Sequence, residues 1–193
     1  GEGLVGGEVI LEGGSTIDGN EDGGVVSVIG GKAVVGSANG GSLLLEGGSS
    51  VGGEGGSVLL TGGSSGSGSS GEVSISSQAA SSDSGSISLA SGVSKSGKSG
   101  DISIKTGSSL EASAGNIVVQ SGDSKTIGSQ VIMQAGNGQQ GGSIVLNSGV
   151  SESGDQSGVV QLAGGNKVAI STSDRSTGSG PVELSTGDSA SAS

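Results

Sequence analysis

Of 193 residues, 45 are Gly and 44 are Ser, with one Pro, one Met and no Phe, Tyr, Trp, His or Cys. This excludes an ordinary globular domain and any disulfide framework. Eighteen acidic against seven basic side chains leave a net charge of −11, and without a basic patch or an aromatic stacking platform neither nucleic-acid binding nor attraction to an anionic membrane surface is expected.

The acid is unevenly spread. Residues 1–72 hold nine carboxylates and one basic residue, Lys32, whereas residues 73–193 hold nine carboxylates and six basic residues. The sequence starts at Gly1 with neither an initiator Met nor a signal peptide and reads as an interior piece of a longer chain. No apolar run approaches the roughly 18 residues of a spanning helix, so membrane insertion is not expected.

In chain order, the first constellation with chemical content is Asp18-Gly-Asn20-Glu-Asp22-Gly23. It repeats the first half of a calcium loop, with oxygen ligands at alternate positions and Gly sixth. The twelfth position is Ile29 instead of Glu, and the flanking pattern is extended, so a helix-loop-helix site is excluded. Asp18, Asn20 and Asp22 either hold calcium weakly in a bend or bond their own backbone; no cofactor is assigned.

From there a single unit recurs. Gly55-Gly-Ser-Val-Leu-Leu-Thr-Gly-Gly63, Ser84-Gly-Ser-Ile-Ser-Leu-Ala-Ser-Gly92, Ser99-Gly-Asp-Ile-Ser-Ile-Lys-Thr-Gly107 and Gly141-Gly-Ser-Ile-Val-Leu-Asn-Ser-Gly149 share the form small-Gly-polar-aliphatic-x-aliphatic-x-small-Gly. The first aliphatic position falls at Val9, Val26, Leu43, Val58, Val73, Ile87, Ile102, Ile117, Val131, Ile144, Val160 and Val182. The steps centre on roughly 15 residues, a recurrence of the kind that marks repeat architectures. An extra copy at Val168 and Ile170 fills the long last step. Composition alone favours disorder, but a register held along the whole chain argues for repeated structure.

Two aliphatics two residues apart share one face of an extended strand. A lone strand cannot bury them, so the copies are expected to stack. Alternation between successive copies, with Ser before Val58, Ile87 and Ile144 but Glu72 and Asp101 before Val73 and Ile102, suggests two different walls. The predicted fold is therefore all-β: an elongated, mostly parallel β-solenoid (β-helix) of about 15-residue strand-bend repeats, with two strands per coil. The alternative is one coil for every single repeat. Residues 1–193 are expected to form one continuous array, with Val58, Leu60, Val73, Ile75, Ile87, Leu89, Ile102, Ile104, Ile117, Val119, Ile144 and Leu146 pointing inward.

Several formal motif matches lack their context. Gly92-Val-Ser-Lys-Ser-Gly97-Lys98-Ser99 fits the phosphate-binding loop, but another repeat strand, Asp101–Thr106, stands where the helix belongs. Gly62-Gly-Ser64-Ser-Gly66 fits a nucleophile elbow in a chain with no His to act as base. Gly1–Gly6 and Gly66–Gly71 satisfy the dinucleotide fingerprint, which this glycine content produces by chance. Paired carboxylates such as Glu21 and Asp22 lack an apolar pocket to separate their pKa values. No enzymatic activity and no small-molecule substrate are expected.

The unit at residues 55–63, 84–92 and 141–149 resembles the Gly/Ser-rich tandem repeats of very large secreted or cell-surface proteins of microalgae, diatoms among them. A unit this simple is also compatible with bacterial adhesins, phage fibres or the shafts of flagellar hairs. The resemblance implies an extracellular or cell-surface setting and a scaffold or filament role, and transfers no functional residue.

The expected function is that of a structural component of an extracellular fibre, sheath or surface layer. The alternative is an ice-binding or other flat-face recognition solenoid, which would need an outward Thr ladder. Thr16, Thr61, Thr106, Thr126, Thr172, Thr177 and Thr186 share no repeat position. The residue between the two inward aliphatics should face outward, and at Ile10, Leu44, Leu59, Val118, Ile132 and Val145 it is itself aliphatic. These six are the expected lateral interface with a neighbouring chain or adjoining repeats.

Overall fold

The computed structural model describes residues 6–17, 19, 21–152, 157–172 and 178–186. The chain divides into two units, Gly1–Gly100 and Asp101–Ser193. Each is a succession of extended aliphatic segments joined by bends.

The 15-residue period is present in the backbone. In the first unit, bends lie at 51–53, 66–68, 81–82 and 95–97; in the second they lie at 110–112, 125–127 and 138–140. A serine hydroxyl fixes many of these bends by accepting the amide proton three residues on. Gly53 N–H donates to Ser50 Oγ at 2.8 Å, Gly68 to Ser65 at 2.8 Å, Gly97 to Ser94 at 3.0 Å and Ala112 to Ser109 at 3.1 Å. Such local side-chain turns explain why Ser stands just ahead of the bends at 51–53, 66–68, 95–97 and 110–112.

A second contact closes several loops at the base, where two glycine backbones touch; both sides are Gly-Gly pairs at 13–14 with 23–24, 30–31 with 40–41 and 47–48 with 55–56. In the first unit Gly24 N–H donates to Gly14 O at 2.7 Å, Gly41 to Gly31 at 2.8 Å, Gly56 to Gly48 at 2.7 Å and Gly71 to Gly63 at 2.8 Å. A Cβ on Gly56 would stand 2.9 Å from the amide nitrogen of Gly48, and one on Gly47 would run into the Gly56 carbonyl. Glycine is required here for close approach. Positive φ is confined, among the described residues, to Gly19, Gly36 and Gly178, so most glycines do not serve left-handed turns.

The approach is looser at Gly85 and Gly115, which face Ser77 and Thr106. A Cβ on Gly85 would meet Ser77 Cβ at 3.5 Å, and one on Gly115 would meet Thr106 Cγ2 at 3.6 Å. In the second unit the backbone bond reappears from Gly142 N–H to Gly136 O, 3.0 Å, and from Gly158 N–H to Gly149 O, 2.9 Å.

The predicted β-solenoid is not formed. Among the described residues there is neither a β-strand nor a helix, and none is buried. The twelve aliphatics expected to point inward are 50–75% exposed. The chain presents 19437 Å² to solvent, against roughly 8,000 Å² for a globular protein of this mass and roughly 26,000 Å² for the extended chain.

The reason lies in which backbone pairs form. Each pinch closes a loop of only a few residues, the arrangement with the least loop-closure entropy. A solenoid would instead pair the aliphatic segments of successive coils. Small aliphatics without a single aromatic provide little burial against the entropy of ordering so much glycine. The inward and outward sense of the repeat does not survive, since the second inward position, as at Leu89 (73%) and Val119 (75%), is as exposed as the outward Val145 (71%) and Ile132 (75%). First-position aliphatics from Val26 to Val182 are 48–60% exposed, less than the residues that follow them in the same segments.

The pinch gives a sharp test. Gly56→Ala should open the loop from Gly48 to Gly56, because the added methyl has no room. Losing one such hydrogen bond, worth about 0.5–1.5 kcal/mol, lowers the closed population roughly 2- to 10-fold. The amide proton at position 56 should then show a solvent-like temperature coefficient by NMR. Gly52→Ala, where a Cβ meets nothing within 4 Å, should leave that signal unchanged.

Candidate interaction surface

The six residues expected at the lateral interface are all exposed, between 70% and 83%. Ile10, Leu44 and Leu59 belong to the first unit, and Val118, Ile132 and Val145 to the second. They occupy the middle of aliphatic segments and recur one period on from Leu44 to Leu59 and from Val118 through Ile132 to Val145, whereas Ser holds that position at 27, 74, 88 and 103. The structure enlarges the surface beyond these six. Their neighbours two positions apart, such as Leu43 with Leu45 and Ile144 with Leu146, are also solvent-exposed, so each segment presents apolar atoms on more than one side.

Bend aliphatics extend the pattern, since Val51, Val93 and Leu110 stand free of any cover at the loop tips. Sequence reasoning missed that paired glycines clamp the loop bases. The signal was present in the doubled spacing of Gly13-Gly14 with Gly23-Gly24, and of Gly47-Gly48 with Gly55-Gly56.

The formal motif matches fall on bends. Gly92–Ser99 encircles an open cavity of about 410 Å³ lined by Ser91, Gly92, Val93, Ser94, Gly97 and Ser99. The Gly97 amide, which a phosphate loop would direct at its anion, is taken by Ser94 Oγ, and residues 101–106 do not form a helix. In the elbow-like stretch, Ser65 accepts from Gly68 N–H, a turn contact. The calcium reading rests on Asp18 and Asn20, which lie outside the described residues; Glu21 and Asp22 are exposed. No group of three or more acidic, His or Cys side chains suited to a metal occurs among the described residues. No helix among them is long and apolar enough to cross a membrane.

No family model, curated protein or solved structure matches this chain.

The serine-fixed bends are separable from the apolar segments. Ser65→Ala removes the acceptor of the Gly68 amide and should cost the bend about 0.5–1 kcal/mol of local order. Faster backbone motion confined to residues 65–68 by NMR relaxation is the expected outcome, with the signals of Val58 and Val73 unmoved.

Proposed function

We propose that this chain is a structural element of an extracellular fibre, sheath or surface layer, acting through repeated apolar surface that it offers to its neighbours. The observation that supports this most directly is the exposure of the aliphatic segments in both units at a nearly constant interval. An isolated soluble chain gains nothing from presenting Val, Ile and Leu to water once in every repeat, because contiguous apolar surface is stable only when something covers it. Frequent Ser, Gly and carboxylates between the segments keep the uncovered chain soluble. The extracellular setting follows from the resemblance of the repeat to secreted and cell-surface proteins. A fibre of this kind is not built by stacking coils within one chain; its order arises between chains.

Replacing Leu44, Leu59, Val118, Ile132 and Val145 with Ser tests the reading. The dilute variant should keep the circular dichroism of the dilute parent while losing most of its concentration-dependent light scattering. Equal scattering by parent and variant, or no assembly of the parent at any concentration, overturns it. An antibody to the chain should also label intact, unpermeabilised cells of the source.

A further inference from the structure

Building on that structural reading, we propose that the aliphatic segments are covered by aliphatic segments of a second copy of this chain, joined edge to edge through their backbones, so that β-strands form between copies and not within one. Segment length, free backbone and local charge each bear on this occupant.

The segments are of one length. Those with a glycine crossing at both ends run from Gly24 to Gly31, Gly41 to Gly48 and Gly56 to Gly63 in the first unit and from Gly142 to Gly149 in the second, seven positions in every case. The loops between crossings vary, with ten positions from Gly31 to Gly41, eight from Gly48 to Gly56 and six from Gly136 to Gly142. The unequal repeat steps, 17 from Val26 to Leu43 and 15 from Leu43 to Val58, therefore lie wholly in the loops. A partner that pairs with one segment after another needs strands that stop at this length, and a copy of the chain has them.

The backbone of these segments is unpaired. Among the described residues, positions 25–30, 42–47, 57–62 and 143–148 make no hydrogen bond within the chain, whereas the glycines that bound them are already bonded at the crossings. Covering Val58, Leu60, Ile144 and Leu146 also strips water from the adjoining N–H and C=O groups, which is costly unless something else bonds them. A lipid surface or a smooth apolar wall offers no such bonds. An extended chain offers them at every second residue along a shared edge.

The segments are also nearly free of charge. Glu46 is the only charged residue in the four, while Glu21, Asp22, Glu54 and Glu152 stand in the loops. A partner recognised by charge finds almost nothing to pair with there, and a second copy brings a strand as neutral as the first. Short neutral stretches of Val, Ile and Leu without Pro are the kind that join edge to edge. The net charge of −11 opposes the approach of two copies at long range, and salt screens it.

The test uses the full chain, part labelled with nitrogen-15 and part with carbon-13, mixed and assembled at about 0.15 M salt or above, where repulsion reaches only about 8 Å. Solid-state NMR should show backbone nitrogen-to-carbon transfer between the two labels at 57–62 and 143–148. Hydrogen exchange at these amides should slow about tenfold or more on assembly, with 49–54 exchanging as in the monomer. Thr61→Pro with Asn147→Pro removes one backbone donor from each of two segments and no aliphatic. Protection at 57–62 and 143–148 should then be lost, while the loop pair Val51→Pro with Val150→Pro keeps it. Assembly in which the segment amides exchange as in the monomer, or an equal loss in both proline pairs, overturns the backbone pairing and leaves the structural reading standing. Slow exchange without transfer between the labels places the strands within one chain and overturns the second copy. Sedimentation as a monomer at every concentration overturns both readings. Assembly only after a different protein is added overturns the second copy as occupant and keeps a scaffold built with another partner.

Discussion

Backbone touching backbone at paired glycines is the contact on which the chain's geometry depends. Gly48 O accepts from Gly56 N–H at 2.7 Å with no room for a methyl group on either side of the crossing, and the same arrangement recurs at Gly14 with Gly24 and at Gly31 with Gly41. Each crossing makes the intervening residues a closed loop and sends the aliphatic segment beyond it to the next crossing. The hydrogen bond is modest and exposed to water. It persists because the loop it closes is short and because a serine such as Ser50 already bends the tip.

This local closure works against a core. Backbone groups at the pinch are satisfied within one repeat, so no ladder links the aliphatic segment of one repeat to that of the next, and the side chains on those segments stay wet. Larger side chains could have tipped the balance, since an aromatic buries more than any residue present here. With 30% hydrophobic residues and none aromatic, each segment contributes two or three small aliphatics, and their burial does not offset the ordering of the glycines around them. The monomer is therefore locally shaped without being cooperatively folded.

The sequence made the period legible but not its use. Recurrence of Val58, Val73, Ile87 and Ile102 marked the repeat unit, and the bends do fall between these residues at the same interval. The i, i+2 spacing also announced a sidedness that the structure does not keep, since Val119 is as exposed as Ile132. What spacing could not reveal is which hydrogen bonds would win. A β-ladder between repeats and a glycine crossing within one draw on the same sequence pattern, and the decision rests on loop entropy and on burial per segment. The glycines carried a parallel ambiguity. Positive φ and close approach both require Gly, and only coordinates distinguish Gly36, at φ 69°, from Gly56, pressed against Gly48. Leu44 and Val145 are exposed, but so are their neighbours, which were assigned to a core that does not form.

An unburied repeat changes what its charge is for. In a protein with a core, a net −11 is a modest burden on an already compact state. Here the apolar segments among the described residues stay exposed, so the same charge bears on any approach between them. Electrostatic repulsion reaches about 8 Å at physiological ionic strength, comparable to the roughly 10 Å at which apolar sheets pack face to face. Repulsion therefore acts over the distance at which two aliphatic segments begin to exclude water, and the direction in which carboxylates are distributed along the chain decides which segments come close first. The acid-rich residues 1–72 and the lysine-bearing residues after them give an otherwise uniform repeat a polarity, so that its segments are not electrostatically equivalent along the chain.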